Sequence, residues 1–335
     1  MRTLLDPVPT GASPLLSVRG LTVRYGGPHA APALSCLNLD IAHGEIVGVL
    51  GESGSGKSTL ALSISGLLPS KTCIEGSILF RGQDLRQLEE SGWQEIRGAK
   101  ISAMFQEPGL ALSPVMRVGD QIAEVIRAHR PTARNRLKQE CLQALTEVCM
   151  PEADRIYNSY PHQLSGGQLH RVVMAQALAC QPDLVIADEP TRSLDVTIQA
   201  EILDLLRSVR RKFGCALIFI THNPALLAGF ADRVLVMYGG RIVEHGPVTQ
   251  VFQRPFHPYT KGLLQLIPSS SAREGLARMT RLPAIPGSLS DADRLTRGCV
   301  FEPRCSARIA RCQSKFPDES TPEPDRRVSC FNHGI

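Results

Sequence analysis

A glycine-rich segment has the residue types and spacing of a phosphate-binding loop. Residues 51–59 read Gly-Glu-Ser-Gly-Ser-Gly-Lys-Ser-Thr, which fits the pattern G-x-x-x-x-G-K-[ST]. Glycines let the backbone curl so that its N–H groups point at phosphate oxygens, and a following helix presents its positive end to the same anions. The pattern predicts that Lys57 reaches the β/γ-phosphates of ATP and that the Ser58 hydroxyl ligates Mg²⁺. The predicted ATP-binding residues of the loop are Gly51, Ser53, Gly54, Gly56, Lys57, Ser58 and Thr59.

An acidic pair follows a short apolar run later in the chain. Residues 184–189 read Leu-Val-Ile-Ala-Asp-Glu, as at the end of a buried strand. Asp188 can hold Mg²⁺ directly or through water. Glu189, the next carboxylate, can orient and polarise an attacking water. A solvated turn is the alternative interpretation, and the presence of a phosphate loop in the same chain argues against it.

A third element is the segment Leu164-Ser-Gly-Gly-Gln168, which precedes a predicted helix at Leu169–Ala179. Two glycines and a serine before a helix make another N-terminus that can receive an anion. The alternative is an ordinary helix cap by Ser165, which has the right chemistry for it. One phosphate loop already serves one nucleotide, so a second anion site is redundant within a single chain.

The elements that position these residues follow the order of an α/β nucleotide-binding fold. Glu45–Leu50 predicts a buried strand before the phosphate loop, and Lys57–Leu68 predicts a helix after it. Val196–Phe213 lies between two apolar runs and predicts the crossover helix of a βαβ unit. The other predicted elements are strands at Leu15–Arg24, Ile101–Phe105, Leu184–Ala187 and Leu217–Ile220, helices at Val115–His129 and Arg134–Cys149, and a hairpin around Gly239-Gly240.

Composition limits the class of protein. The 335 residues are 43% hydrophobic and 21% charged, which supports an ordered core, and the net charge of +5 does not demand nucleic acid. No apolar run reaches about 18 residues, as a membrane-spanning helix would need. No secretory signal opens the chain. We therefore expect a cytoplasmic protein, in which ten cysteines do not indicate a disulfide framework.

The ordered motifs resemble those of the ATP-binding subunits of ABC transporters. The segment Leu164–Gln168 is the distinguishing feature, since many unrelated nucleotidases have a phosphate loop and an acidic strand end, and the resemblance spans about residues 15–255. It implies that Tyr25 stacks on adenine and that Gln106 senses Mg²⁺ and links to the membrane partner. It also implies that Asp195 lies in a loop that crosses to an opposing subunit, and that His222 contacts the γ-phosphate.

The same resemblance implies a head-to-tail dimer of two ATP-binding domains, which explains the redundant anion site. The partner's ATP would be bound by Ser165, Gly166, Gly167 and Gln168. Glu189 would activate water, His222 would hold the γ-phosphate, and Mg²⁺ would be held by Ser58, Gln106 and Asp188. The chain departs from the common pattern beside the catalytic elements, at Ser113, Arg192, Ser193 and Asn223.

From about Pro255 onward, the amino-acid composition of the chain changes. Phe256–Leu264, Ile285-Pro-Gly287 and Gly298–Cys305 resemble the extension of oligopeptide/dipeptide importer ATPases. Four cysteines of this region, with the spacing C-x5-C-x6-C-x17-C, are Cys299, Cys305, Cys312 and Cys330. Soft thiolates suit an Fe–S cluster or zinc, and the resemblance favours a [4Fe–4S] cluster, with zinc as the alternative and free thiols in a loose tail as a third possibility.

These observations predict a P-loop NTPase of the ABC type. We expect a leader at 1–14, an ATP-binding domain at 15–255 with a helical subdomain near 107–178, and a cysteine-rich extension at 256–335. The resemblance implies ATP hydrolysis coupled to peptide import at the cytoplasmic face of the membrane. It also implies a second, different ATPase as heterodimer partner, two permease subunits and a solute-binding protein.

Two kinds of alternative remain open at this point. Relatives of the same type move nickel, metallophores, opines or glutathione. A soluble ABC ATPase of DNA repair or translation is a different class, and the chain lacks the long coiled-coil insertion or the second ATP-binding unit typical of those proteins.

Overall fold

The computed structural model describes residues 13–265 and 285–333. Most of the predicted leader, 1–14, therefore lies outside the described residues. The chain forms two compact units. The first unit comprises the described residues up to Leu16, Ile41–Glu45 and Phe80–Ile220, and the second comprises Ser17–Asp40, Ile46–Leu79 and the described residues from Thr221 onward.

The elements alternate between strands and helices along most of the chain. The strands are β1 Leu16–Arg24, β2 Pro32–Ile41, β3 Ile46–Leu50, β4 Cys73–Phe80, β5 Gln83–Asp84, β6 Ile101–Met104, β7 Leu184–Asp188, β8 Ala216–Thr221, β9 Arg233–Tyr238, β10 Arg241–Pro247, β11 Ser320–Glu323 and β12 Arg326–Val328. The helices are α1 Lys57–Ile64, α2 Glu90–Ile96, α3 Pro108–Ala111, α4 Val118–His129, α5 Arg134–Glu147, α6 Ala153–Asn158, α7 Gly166–Leu178, α8 Val196–Phe213, α9 Val248–Gln253, α10 Pro258–Gln265, α11 Asp291–Arg294 and α12 Arg311–Ser314.

In the first unit, three parallel strands lie in the order β6-β7-β8. Ile101 lies opposite Leu184, and Leu184 lies opposite Ala216. Every residue of β7 and β8 is buried, which explains why both strands are continuous apolar runs rather than alternating ones. This register places Asp188 at the buried carboxyl end of the central strand.

The crossover helix α8 of the first unit confirms the sequence prediction at both ends. Asp195 caps its N-terminus by accepting a hydrogen bond from the Ile198 N–H at 3.0 Å. Gly214, in the left-handed conformation at φ 66°, follows its last residue. Its final turn carries Arg210, Arg211 and Lys212, which complement the negative end of the helix.

In the second unit, β3 pairs in parallel with β9, and β9 forms the predicted hairpin with β10. The turn residues Gly239 and Gly240 both have positive φ, as two-residue hairpins of this kind require. The strand β12 adds to the other side of β10, with Val328 opposite Glu244, and β11 pairs with β12. The sequence did not predict these two strands.

The helix after the phosphate loop is shorter than predicted. It ends at Ile64 rather than Leu68, because Gly66 follows with a φ of 64°, a conformation that cannot continue a helix. Within the described ranges, none of the helices combines the length and apolar character needed to cross a bilayer.

Candidate nucleotide-binding site

The phosphate loop of the second unit connects β3 to α1, as predicted. Its first glycine, Gly51, lies so close to its surroundings that a Cβ there would come within 2.4 Å of the Met237 carbonyl oxygen. Gly56 has a φ of 104°, and a Cβ on it would lie 2.7 Å from the Ala33 oxygen. Both glycines are therefore required by conformation or by close backbone approach, so the curled loop is a property of this sequence.

Lys57 points into the loop rather than to solvent. Its side chain is buried, and Nζ donates hydrogen bonds to the carbonyl oxygens of Gly51 and Glu52, both at 2.8 Å. A further contact of 3.3 Å joins Nζ to Ser55 Oγ. The ammonium group is thus held at the centre of the loop, at the N-terminus of α1, where both the charge and the helix dipole favour an anion.

Two further predicted residues lie in the second unit. The hydroxyl of Tyr25 donates to Thr59 Oγ1 at 3.3 Å, so this half-exposed ring stands beside the first turn of α1. His222 is exposed and follows β8. The Asn223 N–H donates to Thr221 Oγ1 at 3.0 Å, and Asn223 Oδ1 accepts from the Ala225 N–H at 3.0 Å, so hydrogen bonds fix the turn that carries the histidine. Asn223 therefore caps this turn as an aspartate would.

The acidic pair of the first unit is buried at the end of β7. Asp188 is 2% exposed and Glu189 is 7% exposed. Glu189 has a φ of 52°, which is uncommon for a residue other than glycine, and its N–H donates to the Ile220 carbonyl oxygen at 3.0 Å. A non-glycine residue held in this conformation next to a buried carboxylate is typical of functional sites.

Gln106 lies in the same unit and contacts the loop that follows Glu189. Arg192 Nη1 donates to Gln106 Oε1 at 3.3 Å, and the Arg192 N–H donates to the Glu189 carbonyl oxygen at 3.0 Å. Arg192 is one of the positions where the sequence departs from the family pattern. In this chain, Arg192 connects Gln106 by hydrogen bonds to the segment that carries the acidic pair.

The segment Leu164–Gln168, called the signature segment from here on, begins α7 with a complete capping box. Ser165 Oγ accepts from the Gln168 N–H at 3.4 Å, and Gln168 Oε1 accepts from the Ser165 N–H at 3.0 Å. The helix therefore starts at Gly166, three residues earlier than predicted. The capping interpretation of Ser165 is correct, and it leaves open whether the same helix end binds an anion.

The two glycines of this segment, Gly166 and Gly167, are not crowded by the part of the chain that the structure describes. Among the described residues, no atom outside the glycine's own neighbourhood comes within 4 Å of a Cβ built on Gly166. At Gly167 the nearest atom, in Ile198, lies at an ordinary 3.5 Å. Packing against the described residues therefore does not account for glycine at these two positions.

Asp195 is exposed and lies at the start of α8, where its carboxylate caps the helix. The preceding Ser193 has a φ of 63°, and the following Val196 is 81% exposed. The loop between Glu189 and α8 thus presents polar and apolar side chains outward from the first unit. The cap gives Asp195 a structural role, and its predicted contact with an opposing subunit stays a prediction.

The four C-terminal cysteines do not form a metal site in this structure. Cys299 and Cys312 are buried, while Cys305 and Cys330 are half-buried. Burial, assisted by the neighbouring thiols, raises the pKa of Cys299 to about 12. Throughout residues 13–265 and 285–333, no three His, Cys, Asp or Glu side chains gather as metal ligands would. The geometry does not support the predicted [4Fe–4S] cluster.

Sequence reasoning missed the residues that contact Glu52 inside the phosphate loop. Glu52 accepts two hydrogen bonds from Arg304, and its N–H donates to the Tyr259 hydroxyl at 2.8 Å. These partners are more than 200 positions away in the chain. One signal was available: a carboxylate within a loop that binds a polyanion needs a cation nearby.

Two protein families match this chain. The family described as ABC transporter matches residues 34–192. The family described as oligopeptide/dipeptide transporter, C-terminal region, matches residues 243–312. The second match begins inside β10, well before the boundary near residue 255 that the composition indicated.

Relatives and solved structures agree with these matches. A probable peptide ABC transporter ATP-binding protein of Sinorhizobium fredii is 43% identical, with 95% of this chain and 94% of the relative covered. The oligopeptide transport ATP-binding protein OppD of Escherichia coli is 42% identical, with 96% and 94% covered. A dimeric post-hydrolysis structure of the ATP-binding cassette MJ0796 with ADP and phosphate has a TM-score of 0.62 at 29% identity and covers 70% of this chain and 98% of that one.

A second solved structure, CbiO1 of Clostridium perfringens from the ABC transporter complex CbiONQ, has a TM-score of 0.65 at 27% identity, with 80% and 100% covered. This chain thus shares sequence with ATP-binding proteins of peptide transport over nearly its whole length, and it shares its fold with ABC cassettes over 70–80% of its length. The chain belongs to the ATP-hydrolysing subunits of ABC transporters, in the oligopeptide/dipeptide family.

Proposed function

We propose that this chain binds ATP in a composite site and that its hydrolysis energises the import of oligopeptides or dipeptides. One observation carries the composite site. The chain has two glycine-containing helix N-termini of the kind that can receive an anion, at α1 and α7, and the glycines of the second are not crowded by any described residue. A second ATPase molecule, with its ATP at the N-terminus of α7, accounts both for the second helix end and for the open space around its glycines. The cargo follows from the family and from the relatives' names.

We assign one role to each predicted residue. Lys57 and the loop N–H groups bind the phosphates, and Tyr25 stacks on the adenine. The family resemblance assigns Mg²⁺ to Ser58, Gln106 and Asp188, whose side chains carry the hard oxygen atoms that Mg²⁺ prefers. Glu189 accepts a proton from the attacking water, and His222 holds the γ-phosphate.

The partner subunits follow from the same reasoning. The signature residues, Ser165 to Gln168, would contact the ATP of a second ATPase subunit, with Asp195 in the loop that crosses to it. A dimeric arrangement is described for MJ0796. We infer a heterodimer with a different ATPase, attached to two permease subunits at the cytoplasmic face of the membrane. A solute-binding protein would deliver the cargo, and nucleic acid has no part in it.

The domain limits belong to this proposal. We retain an ATP-binding domain at 15–255, a helical subdomain near 107–178, in which α3 to α7 lie, and an extension at 256–335. The strand β12 of the extension pairs with β10, so the two parts share a sheet within the second unit.

The cargo is tested by transport. The full complex, with its permeases and binding protein, is placed in proteoliposomes with ATP and a labelled oligopeptide. We expect ATP-dependent uptake that the Lys57→Ala variant abolishes. Excess unlabelled dipeptide or oligopeptide should compete, and nickel, opines or glutathione should not. Uptake of nickel, an opine or glutathione instead of peptide would assign that compound as the cargo. If no compound is taken up and the chain hydrolyses ATP without membrane subunits, a soluble ABC ATPase of DNA repair or translation would be favoured.

The composite site predicts an unusual response at Ser165. Aspartate and asparagine both cap helices well, so Ser165→Asp and Ser165→Asn should fold equally well. Aspartate also places a negative charge where the partner's ATP phosphates would lie. We expect Ser165→Asp to lower the ATPase rate of the assembled complex by about 100-fold, as for loss of a transition-state anion site. The asparagine variant should retain more activity, and ATP binding to the isolated chain should be unchanged in both. Equal activity of the two variants would show that Ser165 is only a cap.

The C-terminal cysteines give a separate prediction. We propose a [4Fe–4S] cluster from the number and softness of the four thiols and from the family resemblance, with zinc as the alternative, although the described side chains do not gather as metal ligands would. Anaerobically purified chain should contain iron and sulfide and absorb near about 410 nm. The signal should disappear in Cys299→Ser and persist in Cys149→Ser, which removes an exposed cysteine outside the group. Stoichiometric zinc without iron would favour the zinc alternative, and the absence of both metals would overturn the proposal in favour of free thiols.

A further inference from the structure

The phosphate loop of this chain carries an acidic residue at its second position. Glu52 lies between Gly51 and Ser53, with its side chain 30% exposed. Nucleotide phosphates are polyanions, so a carboxylate in the loop opposes their binding. The loop's own cation, Lys57, already contacts the carbonyl oxygens of Gly51 and Glu52. The charge of Glu52 therefore requires compensation from elsewhere.

Arg304 supplies that compensation from the C-terminal part of the second unit. Its Nη1 lies 2.8 Å from Glu52 Oε2 and its Nη2 lies 3.2 Å from Oε1, which is a bidentate pair. The arginine side chain is only 7% exposed, so the pair is poorly screened by solvent. Burial by itself lowers the pKa of Arg304, but the hydrogen bonds to Glu52 and Tyr238 and the charges of these two groups together outweigh it, so the pKa is raised above its ordinary value.

The guanidinium is held in place by further contacts. Its Nε donates to the Pro286 carbonyl oxygen at 2.6 Å, and Nη1 also donates to the Tyr238 hydroxyl at 3.2 Å. Its carbon lies 5.7 Å from the centre of the Tyr238 ring. Because these contacts fix Arg304 independently of Glu52, the arginine can fix the position of the loop, rather than the loop fixing the arginine.

Two other residues from beyond position 255 contact the same loop. The Tyr259 hydroxyl accepts the Glu52 N–H at 2.8 Å, and this tyrosine is fully buried. Arg294 donates to the Gly54 carbonyl oxygen. The start of α10, which carries Tyr259, is itself fixed, since the His257 N–H donates to Glu244 Oε2 at 2.9 Å. The loop is thus held at Glu52 and Gly54 by three side chains from one region.

We propose that Arg304 is a positioning residue for the phosphate loop, which neutralises Glu52 and holds the loop open to the phosphates of ATP. The proposal rests on ATP binding at this loop, as assigned above. It gives the C-terminal segment a direct role in nucleotide affinity, whether or not its cysteines bind a metal.

The test is a double-mutant cycle on the full chain, with ATP and ADP affinity as the readout. Arg304→Met leaves Glu52 uncompensated and should raise the Kd for ATP by about 10-fold. Glu52→Gln removes the repulsion and should leave the Kd unchanged or lower. The double variant should return to within about 3-fold of wild type, because the charge that needed neutralising is gone. Arg304→Lys, which keeps the charge but not the bidentate geometry, should lie between wild type and Arg304→Met.

Three measurements separate this role from a merely structural one. The defect of Arg304→Met should shrink as salt is raised, because screening weakens the repulsion. Thermal unfolding without nucleotide should show whether Arg304→Met lowers the stability of the chain. The double variant should have the same lowered stability and still bind ATP. Arg297→Met is the control, since it removes an exposed arginine from the same segment. If the double variant binds as weakly as Arg304→Met, or if Arg304→Met binds like wild type, the proposal is wrong. If Arg304→Met does not fold, Arg304→Lys and Glu52→Gln are titrated with ATP instead. Arg304→Lys should bind more weakly than wild type and Glu52→Gln should not, and the opposite result would overturn the proposal.

Failure of the inference is distinguishable from failure of the proposed function. Wild-type chain that does not bind ATP, or Lys57→Ala chain that binds it normally, would overturn the nucleotide site itself. If the wild-type chain binds ATP and Arg304→Met binds it with the same Kd, only the positioning role is overturned.

Discussion

Glu189→Gln is expected to reduce ATP hydrolysis by about 10³-fold while ATP binding is retained, within the range for loss of a general base. The amide keeps the size of the side chain and its place at the end of β7, but it cannot accept a proton from water. The Glu189 side chain is buried, and its backbone has the uncommon φ of 52°. Steady-state phosphate release by the assembled complex, alongside ATP titration of the isolated chain, measures both effects.

The control for Glu189 is Asp204→Asn, which removes an exposed carboxylate from α8 in the same unit. This variant should hydrolyse ATP at the wild-type rate. Equal rates for Glu189→Gln and wild type would mean that another group activates the water. Loss of ATP binding together with hydrolysis in Glu189→Gln would instead assign Glu189 to nucleotide binding.

Lys57→Ala is expected to weaken ATP binding by about 100-fold, since hydrogen bonds to charged groups contribute about 1.5–3 kcal/mol each. The ammonium group lies at the centre of the loop, within hydrogen-bond distance of the carbonyl oxygens of Gly51 and Glu52. Its removal takes the buried positive charge out of the loop and leaves these two carbonyl oxygens without their Lys57 contacts. Equilibrium titration with a fluorescent ATP analogue measures the change.

Lys71→Ala is the matched control for Lys57, because it removes an exposed lysine from the same unit. It should bind ATP as the wild type does. Since Lys57 is buried, unfolding of Lys57→Ala without nucleotide must also be recorded. A folded Lys57→Ala chain with wild-type affinity would contradict the assignment of this loop.

The local motifs were predictable because each depends on neighbours in the sequence. Gly56, in the left-handed conformation, directly precedes the helix that completes the phosphate loop, and this order of residues is visible in the sequence itself. Asp195 and Gly214 cap α8, so both of its ends were predicted correctly. The end of α1 was predicted four residues too late, because the spacing of apolar residues continues past the glycine that stops the helix.

The distant contacts were not predictable from spacing. Strand β12 pairs with β10 although its three residues, Arg-Arg-Val, carry no alternating apolar pattern of useful length. The buried pair of Arg326 and Glu244 fixes that strand at a separation of 82 positions. Such partners meet only because intervening elements have folded.

The sequence alone therefore determined the phosphate loop, the acidic strand end, the signature helix and the family, because these depend on residue order over short distances. Only the tertiary structure decided three things. It placed Glu189 in a left-handed conformation, it joined Gln106 to Arg192, and it paired Glu52 with Arg304 across 252 positions. Charges and backbone strain act through space, and the chain must be folded before it brings such groups within hydrogen-bond distance.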